Sequence, residues 1–308
     1  MGPKATRAPF LRQYFHPASW PFWGIHLVAI VGVIMTGWSW TGLGLAVAFY
    51  GARMFFVAAG YHRYFSHRTF KTSRTVQFLL ALFSTTTAQK GVLWWAAHHR
   101  RHHKYSDQPE DTHSAKLEGF WYSHVGWVVT MDPERERIDL ERVKDLSAFP
   151  ELRLLERFNL VPPFLLAAIV ALIGGWHALL WGFFVSTVLL WHGTFTVNSL
   201  NHVIGRRRYA TSDESRNNWF LALFVTMGEG WHNNHHHYMT SANQGFFWWE
   251  IDVTFYALVA LEKVGIIWDL RRAPAHVVRG EARVRAPELP AGGAATQARP
   301  TAQSAERR

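Results

Sequence analysis

Apolar residues gather in four long runs along this chain, arranged as two pairs. The first run, from Pro21 to Trp40, reads "PFWGIHLVAIVGVIMTGWSW". The second, from Thr41 to Tyr61, reads "TGLGLAVAFYGARMFFVAAGY". Each comes close to the roughly 20 residues that carry a helix across a bilayer core. The join "WSWTG" carries no charge and is too short for a domain, so the pair predicts a helical hairpin. "LVPPFLLAAIVALIGGW" from Leu160 to Trp176 and "HALLWGFFVSTVLLWHGTFTVNSL" from His177 to Leu200 repeat the arrangement. The pattern predicts an all-α integral membrane protein with spans at about 21–40, 41–61, 160–176 and 177–200. A soluble protein with four buried core helices would leave the uncharged hairpin turns unexplained.

The remaining segments are polar and either precede the first span or follow the second and fourth, which places them on one side of the membrane. They are the segment 1–20 and the two stretches 62–159 and 201–272. Their flanks carry Lys4, Arg7 and Arg12, then Arg63, Arg68, Lys71 and Arg74, then Arg206, Arg207 and Arg208. The positive-inside rule makes that side cytoplasmic. Trp20, Trp23, Trp38 and Trp40 bracket the first span as an interfacial belt. No cleavable signal is evident. A further apolar stretch, "VQFLLALFSTTTAQKGVLWW" from Val76 to Trp95, gives way to polar residues and predicts a buried or interfacial helix. Met131 to Asn159 is charged with amphipathic helical spacing. Beyond Pro274 composition turns to Ala, Gly, Pro, Arg and Glu without periodicity, which predicts a disordered tail over 273–308.

Composition narrows the chemistry. The chain has no Cys, so thiolate metal sites and disulfides are excluded. Its 18 His are the supply of nitrogen ligands. The formal net charge of +10 suits an acidic partner, either anionic lipid or a phosphorylated carrier, and the membrane pattern argues against nucleic acid.

The histidines are grouped. "HRYFSH" carries His62 and His67, "HRRHH" carries His99, His102 and His103, "NSLNH" carries Asn198 and His202, and "HNNHH" carries His232, His235 and His236. Residues at i, i+3 and i+4 share a helical face. His99, His102 and His103 can therefore point one way, as can His232, His235 and His236, and as can Asn198 with His202. His62 and His67 do not share a face of a regular helix and need a turn between them. The second and fourth spans deliver His62 and Asn198 to the same height, about 30 Å from the hairpin turns. Nine imidazoles on four converging elements suit two metal ions, and the imidazoles must be neutral to ligate. His16, His26, His177, His192 and His276 stand outside these clusters and read as interfacial or hydrogen-bonded residues. His98, His113, His124 and His237 lie near the clusters in sequence and read as supporting or surface residues.

"GYHRYFSHRTF", "HHRRHHKYSDQPEDTHS", "GFWYSHVGW", "VNSLNHVIG" and "GEGWHNNHHHY" together resemble the membrane fatty-acid desaturases, specifically the delta-9 acyl-CoA desaturase group. The likeness runs from about Trp20 to Asp269, and "WWEIDVTFYALVALEKVGIIWDL" is similar to the bacterial members. It implies four transmembrane helices beneath a cytoplasmic helical cap that holds two irons. The ligands would be His62, His67, His99, His102, His103, His202, His232, His235 and His236, with Asn198 reaching one metal through water. Two departures, at His98 and in the residues that follow the His pair in "HHHYMTSANQ", touch no ligand.

The implied reaction has a physical logic. An unactivated methylene C–H offers no acidity, so a strong oxidant is required. Two ferrous ions, O2 as co-substrate and two external electrons supply it, leaving a cis double bond and water. Asp107, Asp111 and Glu229 are candidates to orient ligating imidazoles. Tyr50 and Met54 lie in line with His62 and would close the far end of an acyl tunnel, and Gln89, Trp95 and Thr194 match positions near the family's tunnel bend. The expected substrate is a long-chain acyl-CoA, with another acyl carrier or lipid as the variant. The expected electron donor is a separate protein such as a ferredoxin or a cytochrome b5-like protein with its reductase. The expected location is the bacterial inner membrane, with termini and active site cytoplasmic. Two other readings stand beside this one. A related di-iron hydroxylase would share the boxes, although "NSLNH" and "GEGWHNNHH" favour desaturation. A metal transporter or bis-haem protein would place its ligands within the spans.

Overall fold

The computed structural model describes residues 14–130, 132 and 136–280. Lys4, Arg7 and Arg12, Met131, and the part of the expected tail from 281 onward lie outside the described residues. The architecture is helical, with a single two-stranded antiparallel ribbon among the described residues. That ribbon pairs β1 (Lys71–Thr72) with β2 (Ile267–Trp268).

Helix α1 (Trp20–Thr36) ends at Gly37, whose φ of 77° lies where glycine is favoured. The turn falls at 37–39, a few residues before the expected join. Ser39 then caps α2 (Trp40–Phe55), accepting from the Gly42 N–H at 3.0 Å. Three helical stretches are long and apolar enough to cross a membrane: Pro17–Thr36, Trp40–Ser66 and Val161–Val203. On two of them the large apolar side chains face outward. Ile34 and Met35 on the first, and Leu172 and Ile173 on the last, are exposed, as lipid-facing residues would be.

The third stretch is not straight. Gly175 has φ 63° and ψ −160°, which interrupts α6 (Val161–Ala178) near its end. A Cβ at Gly182 would lie 3.4 Å from the Val170 side chain. Twelve residues of straight helix would hold those positions about 18 Å apart, so the chain folds back at the glycine. The run continues through Leu179–Val185, a wider helix with i→i+5 bonds, into α7 (Ser186–Asn198).

Small residues let these helices approach. A Cβ at Gly42 would sit 2.5 Å from the Trp181 ring. Arg53, buried in α2, donates to Thr187 Oγ1 at 2.8 Å and to Ser186 Oγ, so two hydroxyls on the fourth apolar run satisfy its guanidinium.

Around these packs a second set of helices: α3 (Arg74–Thr85), α4 (Val92–Tyr105) and α5 (Pro150–Arg157). The apolar stretch 76–95 is therefore two helices, not one. The break has a local cause. Thr86 and Thr87 hydroxyls bond back to the Phe83 and Ser84 carbonyls, Ala88 and Lys90 take positive φ, and the Glu156 carboxylate caps Leu93 N–H at 2.8 Å. The boundary of the expected tail also moves. Ala275–Val278 is helical, Val277 is buried, and Tyr209 Oη donates to the Val278 carbonyl at 2.7 Å.

Because Gly42 meets the Trp181 ring, Gly42→Leu should overpack the contact by about 1–3 kcal/mol. Thermal unfolding in detergent should then show a lowered midpoint, and an unchanged midpoint would contradict this packing.

Candidate metal centre

Four elements bring the clustered histidines together. The first is the end of the second apolar run. Beyond Phe55 the helix widens into i→i+5 bonding over Phe56–Ser66, and His67 N–H bonds to the His62 carbonyl at 3.2 Å. A five-residue turn puts His62 and His67 on one face, with ring centroids 4.9 Å apart. The turn that the spacing required is this wide helical turn. The second element is α4, carrying His99, His102 and His103. The third is α8 (Leu200–Val203), which follows α7 and carries His202. The fourth is α9 (His232–His237).

The side chains sort into two groups. His62, His67, His99, His103 and His235 form one, and His102, His202, His232 and His236 form the other; within each, one ligand atom per residue lies within 4.8 Å of the rest. In the first group Nε2 atoms face each other at 2.9 Å between His62 and His235, 2.8 Å between His67 and His99, and 2.9 Å between His235 and His103. In the second, His202 and His232 face at 3.1 Å. The His103 and His236 rings lie 4.4 Å apart, so the groups adjoin. Asn198 sits half-buried one helical turn before His202, and its carbonyl accepts from Ser123 Oγ at 2.9 Å.

A ring nitrogen offers either one hydrogen or one lone pair. His235 Nε2 faces two other Nε2 atoms and cannot serve both by hydrogen bonding. A cation resolves this: cis nitrogens bound at roughly 2.1 Å in an octahedron are about 3 Å apart. The donor set, all imidazole and without thiolate, fits iron, zinc or copper.

Carboxylates fix the outer nitrogens. His102 Nδ1 donates to Asp111 Oδ1 at 3.0 Å, and His236 Nδ1 donates to Asp213 Oδ2 at 2.7 Å. His62 Nδ1 pairs with Glu229, and His202 Nδ1 lies 3.5 Å from Asp107 Oδ2. A carboxylate only accepts, so each Nδ1 carries the proton and each Nε2 lone pair turns inward. The three carboxylates singled out from sequence, Asp111, Glu229 and Asp107, lie beside His102, His62 and His202, and sequence reasoning missed the fourth. Asp213 lies in a loop 23 residues from His236, and no spacing rule connects the two. Gln244, which donates to Glu229 at 2.8 Å, was missed for the same reason.

Electrostatics follow from burial. Desolvation and neighbouring imidazoles hold His67, His99, His103, His232 and His235 well below the ordinary histidine value. Burial opposes charge on His102 too, but Asp111 and its neighbours outweigh it and raise that group. Burial would lift the carboxyls; His62 and Arg63 instead bring Glu229 down to about 2, and histidine partners hold Asp107, Asp111 and Asp213 well below the usual range.

Helix α9 has six residues and cannot hold itself. The two Asn inside "HNNHH" fasten it. Asn233 Oδ1 accepts from Arg208 and Tyr209 N–H, both at 2.8 Å, and Asn234 Nδ2 donates to Gln244 O and Glu250 Oε2, both at 2.8 Å. Asn217 Oδ1 accepts from both Asn233 and Asn234 N–H.

The other histidines divide. His98 stacks on Trp94 at 4.0 Å, and His237 stacks on Tyr209 at 4.0 Å. His113 is buried against His102, 4.4 Å between centroids, and forms with His102 and Asp111 a further candidate cluster. His26 and His192, read from sequence as interfacial or hydrogen-bonded residues, form with His124 a further histidine group. His26 Nε2 meets His192 Nε2 at 3.1 Å, and His192 Nδ1 meets His124 Nε2 at 3.0 Å. His26 Nδ1 donates to the Phe22 carbonyl at 2.8 Å, so the chain of neutral rings is polarised, with His124 donating to His192 and His192 to His26. Its members are far apart in sequence, which hid it.

The fold and the two imidazole groups define a histidine-rich membrane protein, and the comparison with known families agrees. The family model described as fatty acid desaturase matches residues 38–264, and the chain belongs to that family. It is 35% identical to an sn-1 stearoyl-lipid 9-desaturase from Anabaena variabilis, covering 82% of this chain and 92% of that protein. It is 36% identical to an sn-2 palmitoyl-lipid 9-desaturase from Nostoc sp. (strain 36), over 77% and 84% of the two chains. It is also 36% identical to an acyl-CoA 5-desaturase from Anemone leveillei, over 80% and 77%.

Two outcomes follow. Unfolded histidine titrates near 6.5, whereas these imidazoles stay neutral when folded. The unfolded chain therefore takes up protons that the folded chain refuses. Metal-stripped protein should lose stability as pH falls through 6.5, read as a falling thermal midpoint. A flat midpoint would contradict the buried neutral cluster. Asn234→Leu removes the amide donor to Glu250 and to the Gln244 carbonyl and should cost about 1–3 kcal/mol while lowering the metal content of the purified protein. Unchanged stability and metal would argue that α9 is held by something else.

Proposed function

We propose that this protein is an oxygen-dependent desaturase that places a cis double bond at carbon 9 of a saturated long-chain acyl group. The observation that carries this reading is the convergence of nine inward-facing imidazoles, in two adjoining groups, in a chain of the fatty acid desaturase family. His62, His67, His99, His103 and His235 would hold one iron. His102, His202, His232 and His236 would hold the other, with Asn198 reaching a metal through water. When bound, the irons supply the activation of O2 by two external electrons and the oxidising power to remove two hydrogens from adjacent methylenes.

The protein's own residues orient and shield. Glu229, Asp107, Asp111 and Asp213 hold the protons of four Nδ1 atoms and so keep four Nε2 lone pairs available. Trp95 stacks on Tyr61 at 5.2 Å and on His99 at 5.1 Å, forming a flat wall beside the five-histidine group. Gln89 Nε2 donates to Thr194 Oγ1 at 3.1 Å, and the neighbouring Gly193 receives Tyr50 and Met54. This sequence of contacts supports a path for an acyl chain from Trp95, past Gln89 and Thr194, to a floor of Met54 and Tyr50. Tyr50 Oη donates to the Val225 carbonyl and also lines an open apolar cleft of about 610 Å³ with Phe120, Trp121 and Phe224.

In this reading Gly175 divides the 43-residue stretch Val161–Val203 into two spans, making four. Residues 62–159 and 201–272 form the cytoplasmic cap of a bacterial inner-membrane protein. Electrons come from a separate ferredoxin or cytochrome b5-like protein with its reductase. Coenzyme A was the carrier expected from sequence. Two of the relatives are named for lipid-linked acyl groups, and Arg207 and Arg208 are already paired with Glu214 and Glu250. We therefore favour a glycerolipid-linked acyl chain over acyl-CoA.

Expression in a host that makes no unsaturated fatty acid should yield a cis-9 monoene, absent with His236→Ala. A hydroxy acid in its place would move the assignment to the hydroxylase reading. Membranes given stearoyl-glycerolipid or stearoyl-CoA should convert the former, and conversion of stearoyl-CoA alone would reverse the choice of carrier. Tyr50→Ala should shift products toward longer chains, measured by gas chromatography; an unchanged length profile would remove Tyr50 from the floor.

A further inference from the structure

The two imidazole groups sit in different electrostatic surroundings. Around the four-histidine group stand Asp107, Asp111 and Asp213. Their side-chain partners, apart from the imidazoles, are neutral donors. Asp107 accepts from Ser114 Oγ at 2.6 Å and Glu214 N–H at 2.8 Å, Asp111 from Asp107 N–H at 2.9 Å, and Asp213 from Ser215 N–H at 3.0 Å. Among the described residues no Lys or Arg side chain pairs with any of the three. Around the five-histidine group the nearest carboxylate is Glu229, and it shares the buried Arg63 with Asp252, both at 3.0 Å. That leaves one net negative charge beside this group against three beside the other. Arg100 and Arg68 share the single carboxylate of Asp145, which adds one net positive charge on the five-histidine side, where Arg100 donates to the Ser66 carbonyl.

Resting on the metal-centre reading above, we infer that the two sites are unequal: the four-histidine group, backed by three carboxylates without counter-cations, is the tighter site. The five-histidine group, with one carboxylate already claimed by Arg63, gives up its ion first. Ligand number alone points the other way, since five nitrogens chelate better than four. Charge decides because buried carboxylates without counter-ions are costly, and a cation bound nearby recovers that cost. Carboxylates behind ligating histidines also raise the basicity of those ligands, and losing one typically lowers metal affinity by about 10–100-fold. Three such groups outweigh one additional imidazole.

The test is a chelator titration of the full-length protein in detergent, loaded with ferrous iron under argon, with bound iron counted by mass spectrometry. Wild type should hold one iron per chain across at least about a tenfold range of chelator concentration after losing the first. His67→Ala should keep the resistant iron and His202→Ala should lose it. Asp111→Asn or Asp213→Asn should shrink the plateau, and Glu229→Gln should widen it. Where an Asp variant does not fold, as judged by its circular dichroism, the wild-type plateau and the two His variants still decide. Loss of both irons in one step, or a resistant iron that survives His202→Ala but not His67→Ala, would overturn the inference while leaving the metal centre standing. Protein that binds no iron would overturn the metal-centre reading as well.

Discussion

A buried imidazole that faces another imidazole nitrogen to nitrogen has only one proton to share, and seven of the nine clustered rings here face one another in this way. That constraint governs the rest. The rings are too desolvated to charge together, and the outer nitrogens of His62, His202, His102 and His236 face Glu229, Asp107, Asp111 and Asp213, so those four lone pairs turn inward. In a protein interior such an arrangement carries a free-energy cost unless a cation occupies it. Local structure that looks irregular elsewhere serves this convergence. The helix widens over Phe56–Ser66, which aligns His62 with His67, and the positive φ of Asp107 lets the chain double back after α4 so that Asp111 meets His102.

The membrane-facing half supplies height and rigidity. Exposed apolar residues on the outer faces and small residues between helices are what a lipid-embedded bundle needs. Two polar devices sit inside that half. Arg53 is satisfied by two hydroxyls, and His26, His192 and His124 are satisfied by one another. Both devices link the first hairpin to the fourth apolar run, which positions Asn198 and His202.

Much of this was legible from periodicity. The apolar runs, the faces of His99, His102 and His103, and the faces of His232, His235 and His236 follow from helix geometry, and each histidine fell into one of the two groups. Asp107 and Asp111 were visible because they lie a few residues past their helix. What escaped has one physical cause: partners joined only by tertiary folding leave no spacing. Asp213 under His236, Gln244 beside Glu229, and the His26–His192–His124 chain are all of this kind. Backbone irregularities escaped as well, because neither the wide turn after Phe55 nor the break at Ala88 follows from the apolar pattern. Membership of the fatty acid desaturase family then connects the geometry to acyl-chain oxidation.

The central claim is that the nine imidazoles ligate two metal ions. X-ray absorption on the iron-loaded protein tests it most directly, because it reports the atoms bound to the metal. The account predicts two irons per chain, each with a shell dominated by imidazole nitrogen and carrying the outer-ring scattering of histidine. A shell dominated by carboxylate oxygen, or fewer than two irons per chain in folded protein, would contradict it.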